Sequence, residues 1–412
     1  MTGAADAEVF LARQPIFDRD LNLYAYELLY RTCRSSSFDA SDGDDASEHV
    51  VAHAALTFGV ASLLGGKRAF INFTHRLLVS DLPSVLPPEA VAIEVLETVA
   101  VDDALLDACR SLRARGYLIA LDDFVETPDT GPLAALADII KVDFRSTSER
   151  ERSRMLTRYG RRGVRMLAEK IETRQEFELA RDQGFTYFQG YFFARPVILE
   201  RKEIPAQKAR FLRLLAEMQC TRLDFLKIET LIRQETSLCY QLLRYVNSAA
   251  YPTRTRIRSI GQALVLAGED NLRKFVALAS IHSLAEENPP ELVATAALRA
   301  RFAELIGPEA GLAARSSDLF LMGMFSLLDA MVGRPLEELL RGLPLPDDIQ
   351  GALLAPEIST DRVACIHRLV LAYERVEWDS AAAMANALGV PDAVLAGLYR
   401  DAAAWCRDVF GA

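Results

Sequence analysis

The sequence predicts an α/β barrel-like domain followed by an all-α domain, and three observations carry that reading. Residues 1–200 alternate short apolar runs with helical periods, the pattern of βαβ units and a mainly parallel sheet. Several of those runs end in acid, or in lysine plus acid: Ile93-Glu94-Val95-Leu96-Glu97, Leu118-Ile119-Ala120-Leu121-Asp122-Asp123, Ile139-Ile140-Lys141-Val142-Asp143 and Leu167-Ala168-Glu169-Lys170-Ile171-Glu172. From about residue 206 helical periods dominate, as in Phe211-Leu212-Leu214-Leu215-Met218 and Phe275-Leu278-Ile281-Leu284.

Taken in order, strands are expected at about 9–16, 22–30, 68–74, 91–96, 118–123, 138–144, 165–171 and 187–193, with helices at about 47–64, 102–115, 148–160 and 173–183. Only Asp18-Arg19-Asp20 separates the first two strands, too little for a crossover helix, so they form an antiparallel hairpin. Eight strands favour a closed barrel over an open sheet. Carboxylates at the C-terminal ends of buried strands belong at the mouth of such a fold, where sites are built. Arg195 to Lys208, with Pro196 and Pro205, reads as the linker, which divides the chain at 1–200 and 201–412. Beyond it, breakers such as Asn288-Pro289-Pro290 and Leu343-Pro344-Leu345-Pro346 separate short helices.

Length and charge set the bounds. At 412 residues the chain is too long for one ordinary core. Its formal charge of −10 argues against a nucleic-acid binder. Six scattered cysteines without CxxC or zinc spacing suit reduced thiols in a cytoplasmic protein. No basic and apolar leader opens the chain, which predicts no signal peptide. The apolar stretch Leu319 to Val332 carries Asp329 and is shorter than the ~20 residues of a spanning helix, so it is a core helix and no membrane is expected. The acidic run 39–48 reads as a solvated loop, and the arginines from Arg150 to Arg162 as a solvated basic face.

Eight segments carry a resemblance, in this order: Gln14-Pro15-Ile16, Tyr26-Glu27-Leu28-Leu29-Tyr30-Arg31, Phe70-Ile71-Asn72-Phe73, Ile93-Glu94-Val95-Leu96-Glu97-Thr98, Leu121-Asp122-Asp123-Phe124, Ile140-Lys141-Val142-Asp143, Ala168-Glu169-Lys170-Ile171-Glu172-Thr173 and Gln189-Gly190-Tyr191. Residues 8–197 thereby resemble EAL domains, the TIM-barrel-like cyclic di-GMP phosphodiesterases, with Glu27-Leu28-Leu29 in place of Glu-Ala-Leu. The helical half, through Leu243-Arg244-Tyr245-Val246-Asn247-Ser248-Ala249-Ala250 and Ile257-Arg258-Ser259-Ile260-Gly261-Gln262-Ala263-Leu264, resembles the HDOD domain. The order is that of the bacterial EAL–HDOD signalling family.

The resemblance implies a two-cation site for Mg²⁺ or Mn²⁺, which suit hard oxygen ligands. Glu27, Asn72, Glu94 and Asp122 would hold one ion, and Asp122, Asp123 and Glu169 the second. Lys141 would orient or deprotonate the attacking water, with Glu169 beside it. Gln14 and Arg31 would contact the nucleotide, and Gln189 would support the site. Two departures stand out. The Gly-containing loop that follows the paired aspartates in active members reads Phe124-Val125-Glu126-Thr127-Pro128-Asp129-Thr130-Gly131-Pro132, and Lys170 stands where the family has glycine. Strand parity would turn Lys170 away from Glu169.

The helical half has no His-Asp pair, so no metal chemistry is assigned to it; His282 reads as a structural histidine, and Arg254, Arg256, Arg258, Arg273 and Lys274 as solubilising charge. The function expected is a cyclic di-GMP sensor or adaptor with weak or no turnover and a protein-binding HDOD output. The alternatives are an active metal-dependent phosphodiesterase making pGpG and a barrel used only to form a homodimer.

Overall fold

The computed structural model describes residues 9–32, 64, 66–80, 82–125, 127, 130–194, 206–220, 222–247, 257, 259–286, 288–358 and 361–410. The acidic run 39–48, nearly all of the helix expected at 47–64, the linker before residue 206 and Arg254, Arg256 and Arg258 lie outside them. Contacts divide the chain into two compact units. The first comprises Met1–Arg195, Ala372–Asn386 and Val390–Ala412, the second Pro196–Leu371 and Ala387–Gly389.

In the first unit eight strands close into a barrel: β1 (Val9–Phe17), β2 (Leu23–Thr32), β3 (Arg68–Phe73), β4 (Val91–Val95), β5 (Leu118–Leu121), β6 (Ile139–Asp143), β7 (Arg165–Glu169) and β8 (Tyr187–Gln189). β1 is antiparallel to both of its neighbours, and every other pairing is parallel. The β1–β2 turn is tied by Asp18, whose Oδ1 accepts from the backbone N–H groups of Asp20 and Asn22, both at 2.9 Å. Short helices α1 (His75–Val79), α2 (Asp103–Ala114), α3 (Gly131–Ala134), α4 (Glu149–Met155) and α5 (Arg174–Gln183) follow successive strands. Their starts are set by local chemistry. Asp102 caps α2, and Ser148 with Glu151 and Thr173 with Glu176 form reciprocal capping boxes on α4 and α5.

Two apolar layers hold the barrel. Leu105, Cys109, Leu112, Phe177 and Ala180 of the helices pack on outward strand residues such as Ile71, Ile93, Ile119 and Phe188. Inside, Ile16, Ala25, Phe70, Ala92, Ala120, Ile139, Leu167 and Tyr187 form a separate plug. The arginine-rich helix is not wholly a solvated face: Arg152 is buried, donating to Phe144 O at 2.7 Å and to Thr147 O and lying over the Phe144 ring. A flat guanidinium with several donors can close a helix–strand junction in this way while its apolar faces stack.

The second unit contains α6 (Ala206–Met218), α7 (Phe225–Arg233), α8 (Thr236–Val246), α9 (Ile260–Leu284), α10 (Pro290–Glu309), α11 (Ser316–Phe325), α12 (Leu328–Val332), α13 (Leu336–Leu340), α14 (Asp347–Leu354) and most of α15 (Arg362–Glu374). Helix α10 is buried on nearly every side, and α11 reaches it through Gly323, where a Cβ would stand 2.3 Å from the Ala300 nitrogen. The stretch from Leu319 is core helix, as its sequence suggested. Among the described residues no single helix is long and apolar enough to cross a membrane. His282 is exposed, while among the described histidines His367 is buried, its Nδ1 2.7 Å from Ala352 O. Arg273 and Lys274 are engaged within the unit, with Cys220 O and Glu304 respectively.

The chain then returns to the first unit with α16 (Trp378–Leu388) and α17 (Asp392–Phe410). Helix α17 packs on β1; Leu395, Tyr399, Ala402, Ala403 and Cys406 are buried, and the Arg13 N–H donates to the Tyr399 hydroxyl at 3.4 Å. There is a plain reason for a helix at this place. The β1–β2 connection is a tight turn, so no crossover helix is available there to cover the outer face of β1.

Candidate metal centre at the barrel mouth

Strand alternation builds the site. Two residues on from each member of the apolar plug, toward the mouth, stands a polar residue: Gln14, Glu27, Asn72, Glu94, Asp122, Lys141, Glu169 and Gln189. Side chains two apart share a face, so a plug residue and its polar successor both point inward. All eight strands supply one member. Asp122 is the first residue past β5, and its backbone N–H still donates to Val95 O at 3.0 Å, which keeps it in step.

Lys141 is the centre of this ring and is 1% exposed. Its ammonium lies 2.8 Å from Asp122 Oδ1, 2.8 Å from Glu169 Oε1, 3.3 Å from Glu27 Oε2, and in contact with Glu94 Oε1. One cation thus faces four carboxylates, a formal net charge of −3 when all are ionised. Burial opposes the Lys141 charge, but the four acids, Glu169 foremost, outweigh it and hold its pKa well above the usual lysine value. In this arrangement the Lys141 ammonium is a hydrogen-bond donor to the carboxylates around it.

The acids bear the opposite strain. Burial, reinforced by Glu27, raises Glu94 well above the ordinary carboxyl range, with Lys141 offsetting only part. Glu169 is pushed up to about 8, first by burial and then by Asp122 and Glu27, again against the pull of Lys141. The Gln189 amide steadies the rim, donating to Gln14 Oε1 at 3.0 Å and Glu27 Oε2 at 2.6 Å. Asn72 Nδ2 reaches Glu27 Oε1 at 3.4 Å. Gly190 allows this placement: at φ +138, a Cβ would come within 2.1 Å of Ile171 O.

A hard divalent cation fits this donor set. Glu27, Glu94 and Asp122 offer oxygens that all lie within 4.8 Å of one another. Glu94 Oε2 and Glu169 Oε2 are buried with no hydrogen-bond donor among the described residues. Oxygen-only coordination suits Mg²⁺ or Mn²⁺, and a 2+ charge would relieve the repulsion that raises the acids.

Asp123 does not join the ring. Its φ is +37, its N–H donates to Asp122 Oδ1 at 3.1 Å, and its Oδ2 accepts from Lys170 at 3.3 Å. Lys170 also donates to Asp143 Oδ2 at 2.7 Å. At φ +56, past the end of β7, Lys170 has left the strand conformation on which the parity expectation rests, and its ammonium goes to Asp123 and Asp143. The Arg31 backbone lies in β2, but its side chain is outside the described residues. Glu172 pairs with Arg145 at 2.5 Å beside the mouth.

Residues 66–196 match the family model described as the EAL domain, and residues 204–331 the one described as the HDOD domain. The chain is 34% identical to YuxH, an uncharacterized protein of Bacillus subtilis, over 98% of this chain and 99% of that protein. It is 36% identical to the cyclic di-GMP phosphodiesterase CdgJ of Vibrio cholerae, over 90% of this chain and 85% of that one. Among solved structures, an EAL domain protein from Listeria monocytogenes aligns with a TM-score of 0.38 at 23% identity, covering 46% of this chain and 88% of that chain.

Proposed function

Because the chain belongs to the EAL–HDOD family, we propose that its barrel mouth binds cyclic di-GMP with a divalent cation, turns it over weakly, and signals to a protein partner through the HDOD domain. The observation that carries this reading is the ring itself, with one polar residue from each strand and a buried surplus of negative charge on oxygen ligands. Glu27, Glu94 and Asp122, with Asn72 beside them, would hold Mg²⁺ or Mn²⁺. When bound, such an ion acidifies water and stabilises a leaving oxygen. Lys141 keeps its proton and orients groups at the floor of the site; Gln189 and Gln14 form its rim beside β1. Gln14 and Arg31 are the proposed nucleotide contacts.

Weak turnover is supported by the segment after Asp123. Its glycine positions hold Val125 and Thr127, both of which are hydrogen-bonded to Thr130. Thr127 N donates to Thr130 Oγ1 at 2.9 Å and Thr130 Oγ1 donates to Val125 O at 3.2 Å. Val125 and Thr127 lack the backbone freedom that glycine gives for a close approach to substrate. The second reading, an active phosphodiesterase releasing pGpG, is favoured by the intact Lys141 and by the name of the 36%-identical relative. Two measurements decide. Calorimetric titration with cyclic di-GMP in Ca²⁺ is expected to show binding. Chromatography of cyclic di-GMP incubated with the protein and Mn²⁺ is expected to show turnover well below ~1 s⁻¹, the low end for competent enzymes. Turnover above that replaces the first reading by the second, and absence of binding removes both.

A further inference from the structure

We infer that Lys170 is a built-in cation sealing the Asp123–Asp143 carboxylate pair, so that the mouth takes one divalent ion, at Glu27, Glu94 and Asp122, and no second one beside Asp123. The inference rests on the proposed reading of the mouth as a divalent-cation site. Two lysines stand among the acids, and they differ in kind. Lys141 is enclosed by the ring, while Lys170, with its side chain 53% exposed, reaches inward from the lip to two carboxylates outside the ring.

The backbone is bent to make that reach. Only four described non-glycine residues have positive φ, and two of them, Asp123 at +37 and Lys170 at +56, are ion-paired to each other. Residues persist in this conformation where surrounding contacts over-determine them, commonly at functional sites. The carboxylates are also fixed from behind. Asp143 Oδ1 accepts from the N–H groups of Arg145 and Ser146, each at 2.9 Å, leaving Oδ2 to the ammonium. Asp123 keeps one oxygen buried without a donor, and Glu169, 9% exposed at its side chain, keeps another. Among the described residues only Glu27, Glu94 and Asp122 bring their oxygens within 4.8 Å of one another, whereas the Asp123–Asp143 pair is bridged by a tethered ammonium, which neutralises it without the entropy cost of capturing a free ion. Removing the ammonium should open it.

The test is Mn²⁺ stoichiometry, measured on the full chain by native mass spectrometry and by loss of the free-Mn²⁺ electron paramagnetic resonance signal. No nucleotide is present, so failure here is separable from failure of cyclic di-GMP recognition. The wild type is expected to bind one ion. Lys170→Gly, which suits the left-handed backbone, and Lys170→Met, which keeps the side-chain bulk, are each expected to bind two; Lys170→Arg should stay at one. Two ions on the wild type, or one on whichever of the Gly and Met variants folds, would overturn the inference.

Discussion

In the barrel, Lys141 is one ammonium among four carboxylates; in the helical unit, Glu304 is one carboxylate between Lys274 and Arg301. Both clusters have a buried centre, yet their surpluses go to different places. Around Glu304 the two cations keep 26% and 30% of their side chains exposed, so the extra positive charge is shared with water. Around Lys141 the four acids are between 0% and 16% exposed, and the extra negative charge has no such outlet. A cluster that solvates its surplus can be explained by architecture alone. One that buries it lacks a counter-charge, which is the physical mark of a place for a cation.

The largest expected effect comes from removing the ammonium of the ring. Lys141→Met should destabilise the metal-free protein by about 3–5 kcal/mol in chemical denaturation, because it leaves buried charges uncompensated, and Mn²⁺ should restore much of the loss. An unchanged midpoint would break the comparison at its root. Next, Mn²⁺ at ~100 times its dissociation constant should stabilise the wild type by about 2.7 kcal/mol. That gain should vanish with chelator and in Glu94→Gln. The helical cluster supplies the control: Glu304→Gln should cost about 1 kcal/mol, since its partners are partly solvated, and Mn²⁺ should not repair it. A repair would show that ion binding stabilises the molecule without discriminating between the clusters.

The smallest effect is a slope with pH. Glu169 is raised from 4.5 to about 8 in the folded protein, so between these values the folded state holds a proton that the unfolded state has lost. Metal-free stability from this group is therefore full below about 4.5 and declines as pH rises to about 8. Saturating Mn²⁺ should flatten or reverse the decline, because the ion favours the ionised carboxylate. Denaturation at pH 5 and pH 8, with and without Mn²⁺, reads the sign directly.

Much of this ring was legible before any coordinates. Strand limits fall within one or two residues of expectation for most strands, as at Val91–Val95 and Ile139–Asp143, because apolar runs ending in acid leave little freedom of register. Parity puts Lys141 and Asp143 on one face of their strand, but which face turns inward is decided by the closed sheet. Eight strands favour a closed barrel, which the structure has, but no residue pattern records that β1 meets β8. Nor was the Asp123–Lys170 pair legible, since it depends on two residues leaving the strand conformation altogether. Arg152 was missed because composition marks a helix as basic but not which arginine sits beneath it. The destination of Leu395, Tyr399 and Ala402 was hidden for a similar reason: an amphipathic stripe shows that a helix needs a partner, not which one.

That last helix has a consequence for how the molecule is made. The barrel's strands leave the ribosome by Gln189, but α17, which covers β1, begins only at Asp392. At ~5–20 residues per second, roughly 200 residues of intervening synthesis occupy about 10–40 s. Through that interval the strand carrying Gln14 waits without its outer cover, while the helical unit is translated as an insertion in the middle of the other's chain. A nascent chain stalled at residue 371 should therefore be cut by protease within β1, and one released at full length should be protected there.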